Sequence, residues 1–144
     1  MIEHDTIRLL RECDAGIKMG ISSIEEVIEY TGDKNLRERL QRSVSEHEEI
    51  KKDLQELLDI YHDEGKEPNV MAKGMSWIKT NVKLAINESD NVIADLITDG
   101  CDMGVKSLSK YLNQYEGADE KSKDLAKKLI KTEEKLGNDM REYL

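Results

Sequence analysis

Three ionisable side chains fall where helical periodicity calls for apolar ones: Asp14, His47 and Glu133. A carboxylate, an imidazole and a second carboxylate are donors of the kind that hold one divalent transition metal, Zn, Mn or Fe. The same groups can instead satisfy one another, because a charge taken into an apolar core survives only when paired. Counting back from the turns that join the helices sets Asp14 and His47 at one height. Thr98 and Glu133 fall at the matching height on the other side of the core. The expectation is a polar layer of Asp14, His47, Thr98 and Glu133, either hydrogen-bonded internally or carrying one metal ion on Asp14, His47 and Glu133. Glu46, Glu48, Asp99, Asp102 and Glu134 fall at the edges of the stripes, where solvated side chains are expected. His4 and His62 lie near helix ends, at the surface. Cys13 and Cys101 have no framework spacing and read as free, buried thiols. There is no glycine-rich phosphate loop, Ser/His/Asp series or zinc-type cysteine spacing.

Long amphipathic helices would position these groups. Ile7, Leu10, Asp14, Ile17, Ile21, Ile24 and Ile28 repeat at three- and four-residue spacing and predict a helix over about 4–31. Gly32 stops it, and Asp33 or Asn35 caps a second helix, over about 34–64. That helix carries Leu36, Leu40, Val44, His47, Ile50, Leu54, Leu57 and Tyr61 on one face and ends near Gly65, with Pro68 beyond. A long connection over 65–87 keeps helical spacing in Met71, Met75, Ile78, Val82 and Ile86, beside Trp77. The third helix, about 88–116, has Asn87, Ser89 or Asp90 as cap and Ala94, Cys101, Val105, Leu108 and Leu112 inward. Asp119 caps a fourth, over 119–144, whose inward stripe is Leu125 or Ala126, Leu129 or Ile130, Glu133, Leu136, Met140 and Leu144.

Gly16-Ile-Lys-Met-Gly20 reappears as Gly100-Cys-Asp-Met-Gly104. Helix-interior glycine costs ~1 kcal/mol relative to alanine, so each pair predicts a packing reason, the close approach of the first and third helices. The likeness runs on: Asp33–Leu58 lies over Asp119–Leu144, with Leu40 on Ala126, Val44 on Ile130, Ile50 on Leu136 and Leu54 on Met140. Two similar hairpins joined by a crossover make a single domain, 1–144, with pseudo-two-fold symmetry.

Composition agrees. Charged residues make up 37%, there is one proline and no phenylalanine, and the net charge of −9 argues against a nucleic-acid or anionic-membrane partner. No apolar run approaches the ~18 residues of a membrane span. The acidic start, Met-Ile-Glu-His-Asp, lacks an apolar signal segment, and the cytoplasm is the expected compartment. The lysines of the fourth helix, Lys121 to Lys131, are interleaved with acids and read as a solvated face. The Met71, Met75, Trp77 and Ile78 stripe is where a homodimer contact is expected if the bundle leaves it uncovered.

Hairpin, crossover, hairpin resembles the ferritin-like superfamily, an all-α, up-down-down-up four-helix bundle. The Gly65-Lys-Glu-Pro68 turn, the Gly74-Met-Ser-Trp-Ile-Lys79 segment and the Asp99-Gly-Cys-Asp-Met-Gly104 run are similar to those of a small bacterial family of such bundles with no established biochemical role. The resemblance implies a cytoplasmic, stress-associated protein. In metal-binding members it would imply a di-iron centre, with a Glu on each of two helices and a Glu-x-x-His pair on each of the others. The match mostly fails residue by residue. Asp14 is a shortened carboxylate, Val44 stands before His47 where a glutamate belongs, Thr98 replaces a carboxylate, and Ile130 and Glu133 replace Glu and His. The expected protein is a non-enzymatic bundle without cofactor, a structural or protein-interaction module. The alternative is a metal-binding protein with a reduced site, mononuclear or degenerate di-iron, at Asp14, His47 and Glu133.

Overall fold

The computed structural model describes residues 2–68 and 89–144. Within them the chain is all-α: α1 (Ile2–Ile28), α2 (Lys34–Ile60), α3 (Ser89–Gln114) and α4 (Glu120–Met140), then a 3₁₀ turn over Arg141–Tyr143. No strand occurs among the described residues. The Met71–Ile78 stripe, the dimer contact expected on it and most of the 65–87 connection lie outside them.

Local chemistry sets the helix ends. Asp33 accepts the Leu36 N–H at 3.0 Å and caps α2, and Asp119 accepts the Ser122 N–H at 2.8 Å and caps α4, both as the sequence predicts. α2 stops at Ile60, short of the expected Gly65, because His62 takes a left-handed conformation with φ 54°. The His62 N–H donates to the Asp59 carbonyl and the Asp63 N–H to the Leu58 carbonyl. These are the two bonds of a Schellman stop, with histidine where glycine is usual. α1 ends at Ile28 rather than Thr31, whose hydroxyl donates to the Ile28 carbonyl at 2.8 Å. Leu144, expected on an inward stripe, is 55% exposed, since the closing 3₁₀ turn takes it off the helical phase.

The two hairpin turns are tied reciprocally. The Gly32 and Asp33 N–H groups donate to the two oxygens of Asp90 at 2.7 and 3.0 Å. Gly117 N–H donates to Asp5 Oδ2 at 2.9 Å, and Asp119 N–H to Thr6 Oγ1 at 2.8 Å. Each turn is thus held by the first turn of the other hairpin's leading helix. Asp90, expected as a cap of its own helix, serves its neighbour.

The buried apolar residues form two lobes. One gathers Leu9, Leu10 and Ile17 of α1, Ile50 and Leu54 of α2, Leu108 of α3 and Leu129 of α4. The other gathers Ile24 and Val27, Leu36 and Leu40, Ile93 and Ile97, and Leu136 and Met140. Each fully buried Leu or Ile contributes ~1.5–3 kcal/mol, against ~0–1 kcal/mol for a surface ion pair, so the lobes hold the helices together. Along α2 the lobes are divided at His47, and along α4 at Glu133.

Candidate functional site

His47 and Glu133 meet at that division. His47 is wholly buried and Glu133 nearly so, and His47 Nε2 is hydrogen-bonded to Glu133 Oε1. On its other side, Nδ1 lies 2.7 Å from the Ser43 carbonyl and 3.4 Å from the Ser43 hydroxyl. A carbonyl only accepts, so Nδ1 carries a proton. Nε2 then faces a carboxylate oxygen, and one further proton must lie between them. The pair is an imidazolium beside a carboxylate, neutral in sum. Burial pulls the His47 pKa down, but the Glu133 hydrogen bond and charge, with the Ser43 carbonyl and Glu46 adding, carry it above the ordinary histidine value.

The pair has close neighbours on the other two helices. A Cβ on Gly20 would stand 3.3 Å from His47 Cδ2 and Nε2, and one on Gly104 would stand 3.6 Å from Glu133 Oε2. These two glycines leave room for the polar pair. Gly16 and Gly100 do not share that role: both are exposed, with no such contact within 4 Å. The expectation that both glycines of each pair mark an α1–α3 backbone approach is corrected for Gly16 and Gly100. The Cys101 thiol also borders the site. Burial, then the charge and hydrogen bond of Glu133, push its pKa well up. A thiol held protonated is a poor nucleophile and a poor ligand.

Asp14 lies elsewhere, which corrects the expected four-residue layer. It is wholly buried and accepts the Lys66 N–H at 3.0 Å and Gln55 Nε2 at 3.2 Å, with Lys18 Nζ at 2.8 Å. Equal counting from the turn misplaced it. Side chains lean toward their own helix's N-terminus, away from the turn on α1 and toward it on α2. An α1 residue therefore meets α2 residues further from the turn than equal counting gives, as Asp14 meets Gln55 and Gly20 meets His47. Asp14 instead clasps the segment leaving α2. That segment is also held by Arg11 to Asp63 at 2.6 Å, Lys66 to Glu12 at 2.7 Å and Lys18 to Glu67 at 2.9 Å. Gly65, with φ 85°, passes so close that any Cβ there would collide with the Asp14 carboxylate. Thr98 does not join the hydrogen bonding of the pair: its hydroxyl donates to the Ala94 carbonyl of its own helix at 2.6 Å.

Of the predicted set, then, the structure unites His47 with Glu133 and leaves Asp14 and Thr98 out of that pairing. Ser43 was missed, although its i,i+4 spacing to His47 is a readable signal, and Cys101 was read only as a buried thiol. The donors do not fit a metal ion. Both His47 nitrogens are engaged, Glu133 answers Nε2, and Asp14 has three other partners. Among the described residues no group of three or more His, Cys, Asp or Glu is arranged to hold one. Cys13 is free and buried, and burial, with the charges of Glu12 and Asp14, pushes its thiol up to about 12. No helix among the described residues is long and apolar enough to cross a membrane.

Compared with protein-family models, with curated proteins and with solved structures, the chain matches none.

Proposed function

We propose that the chain is a non-enzymatic, ferritin-like bundle serving as a structural or protein-interaction module, its helices running up, down, down and up. The observation that carries this reading is that the buried ionisable groups His47, Glu133 and Asp14 all have protein partners. His47 and Glu133 use each other, and Asp14 is spent on Lys18, Gln55 and Lys66, so no free base, nucleophile or ligand set lies among them. The reciprocal ties support the arrangement of helices. Asp5 and Thr6 reach the turn before α4 and Asp90 reaches the turn before α2, as expected when α1 and α4 start at one end and α2 and α3 at the other.

The test is metal analysis of protein purified without chelator or affinity tag, paired with melting in the presence and absence of EDTA. The expected result is no near-stoichiometric Zn, Mn or Fe and no shift of the melt. Near-stoichiometric metal, with a chelator-sensitive melt that becomes insensitive in His47→Ala, would overturn the reading in favour of a metalloprotein.

A further inference from the structure

His47 and Glu133 are the same position of the two hairpins: laying Asp33–Leu58 over Asp119–Leu144 puts one on the other. Their glycine neighbours, Gly20 and Gly104, are also equivalent positions of the repeat. Two equivalent positions in contact lie on the pseudo-two-fold axis that relates the hairpins. On a true two-fold axis a residue meets its own copy. Here the two copies differ, and they differ in the sign of charge they can carry. Among the α2 and α4 core positions around them, Leu40 and Ala126, Val44 and Ile130, Ile50 and Leu136, Leu54 and Met140 are apolar in both hairpins, while Ser43 over Leu129 and Leu36 over Ser122 differ in polarity but carry no charge. Apolar faces of that kind do not tell one hairpin from the other. The axial contact does. A first hairpin against another first hairpin would bury imidazole against imidazole, and a second against a second would bury carboxylate against carboxylate.

We propose that the His47–Glu133 contact selects hairpin partners, so that the α1–α2 hairpin accepts an α3–α4 hairpin and refuses another copy of itself. Specificity comes from the penalty on the wrong pairing as much as from the right contact. The inference rests on the hairpin repeat and not on the metal content of the chain, so the two can fail separately.

Four full-length forms test it: wild type, His47→Glu, Glu133→His and the exchanged double His47→Glu/Glu133→His. Each single substitution is expected to lower Tm by roughly 10 °C, the scale of breaking a buried pair in a chain of this size. The exchanged double is expected to recover most of it, since position 133 also has a carbonyl one helical turn back to receive Nδ1–H. The pH response identifies the cause. Glu46, itself paired with Lys135 of α4, and Cys101 with Asp102 on α3 are the other titratable groups near the contact, while α1 presents Gly20. Two facing carboxylates in His47→Glu are expected to gain stability as pH falls, and two facing imidazoles in Glu133→His to gain it as pH rises. The exchanged double should follow the wild type. Selection between copies is read by unfolding and refolding the two single variants together. Light scattering should then show a mixed dimer that forms from neither variant alone and melts near the wild type. Single variants that melt like the wild type, a double no better than the worse single, or co-refolded variants that remain separate would each overturn the proposal. Where a single variant does not melt cooperatively, a cooperative melt in the double supports it, and the lack of one overturns it.

Discussion

Alanine at each of the four repeated glycines separates their roles. Replacing a helix-interior glycine gains ~1 kcal/mol where the new methyl meets nothing. Gly16 and Gly100 meet that condition, since neither has a contact within 4 Å. Gly16→Ala and Gly100→Ala should each stabilise by ~1 kcal/mol, raising Tm by roughly 3–4 °C, and the two should add because they lie on different helices. At Gly104 the new Cβ stands 3.6 Å from Glu133, an ordinary contact, and the gain should survive. Gly20 differs. Its Cβ would sit 3.3 Å from two atoms of a ring anchored through Nδ1 and Nε2, so the ring cannot retreat without loosening a buried hydrogen bond. Overpacking of that kind costs ~1–3 kcal/mol, more than the ~1 kcal/mol gained, and Gly20→Ala should lower stability by about 1 kcal/mol. Urea and thermal melts of the four variants read these signs. Repeating Gly20→Ala in a His47→Ala background should turn the loss into a gain. A Gly20→Ala variant as stabilised as Gly16→Ala would show that the His47 ring is not held as described. Loss of stability in both Gly16→Ala and Gly100→Ala would restore a packing role to the leading glycines.

Three further outcomes are expected. His47→Ala leaves Glu133 buried without a partner and should cost ~3 kcal/mol, while His47→Leu/Glu133→Leu should regain most of it, both read by urea melts. Since the folded pKa of His47 is raised, its contribution is fully present below the unfolded value of about 6.5 and is lost as pH rises through the folded value. Wild-type stability should therefore fall over that upper window and the double leucine variant should lack the fall, a comparison made by melts across pH. Gly65→Ala should destabilise by ~2–4 kcal/mol, because its positive φ disfavours a side chain and the Cβ would enter the Asp14 carboxylate. An unchanged melt there would mean that the Asp14 clasp is dispensable.

Periodicity and capping chemistry made most of the helical frame legible. Asp33 and Asp119 stand as caps at the predicted positions because a short acceptor before an apolar-periodic run has few other uses. His47 and Glu133 were readable as inward because their phase among leucines and isoleucines leaves no alternative face. Asp14 had the same inward phase, yet its partner lay in the Gly65–Lys66 segment, whose path depends on the left-handed turn at His62. Nothing in the type of residue at position 62 announces that turn, since glycine is the usual signal. The misreading of Gly16 and Gly100 has a different source. Equal spacing in a repeat shows that two positions correspond, and it does not show that both face the core.

A buried imidazolium–carboxylate pair is a poor way to gain stability. Taking the two charges out of water costs several kcal/mol, and apolar residues of similar volume often serve as well or better. The site could readily have been apolar, for it stands between two lobes of leucine, isoleucine and valine and is flanked by glycines that already leave space. Retaining the pair costs the core a continuous packing, since the lobes are divided where they would otherwise merge. It also costs the glycine at position 20, which the helix would do better without. What the pair supplies that leucine cannot is a contact with two different ends. Where the two hairpins correspond, that difference is what the matched apolar positions around it lack. The stability that His47→Leu/Glu133→Leu retains, set against the pairing errors it permits, would weigh one benefit against the other.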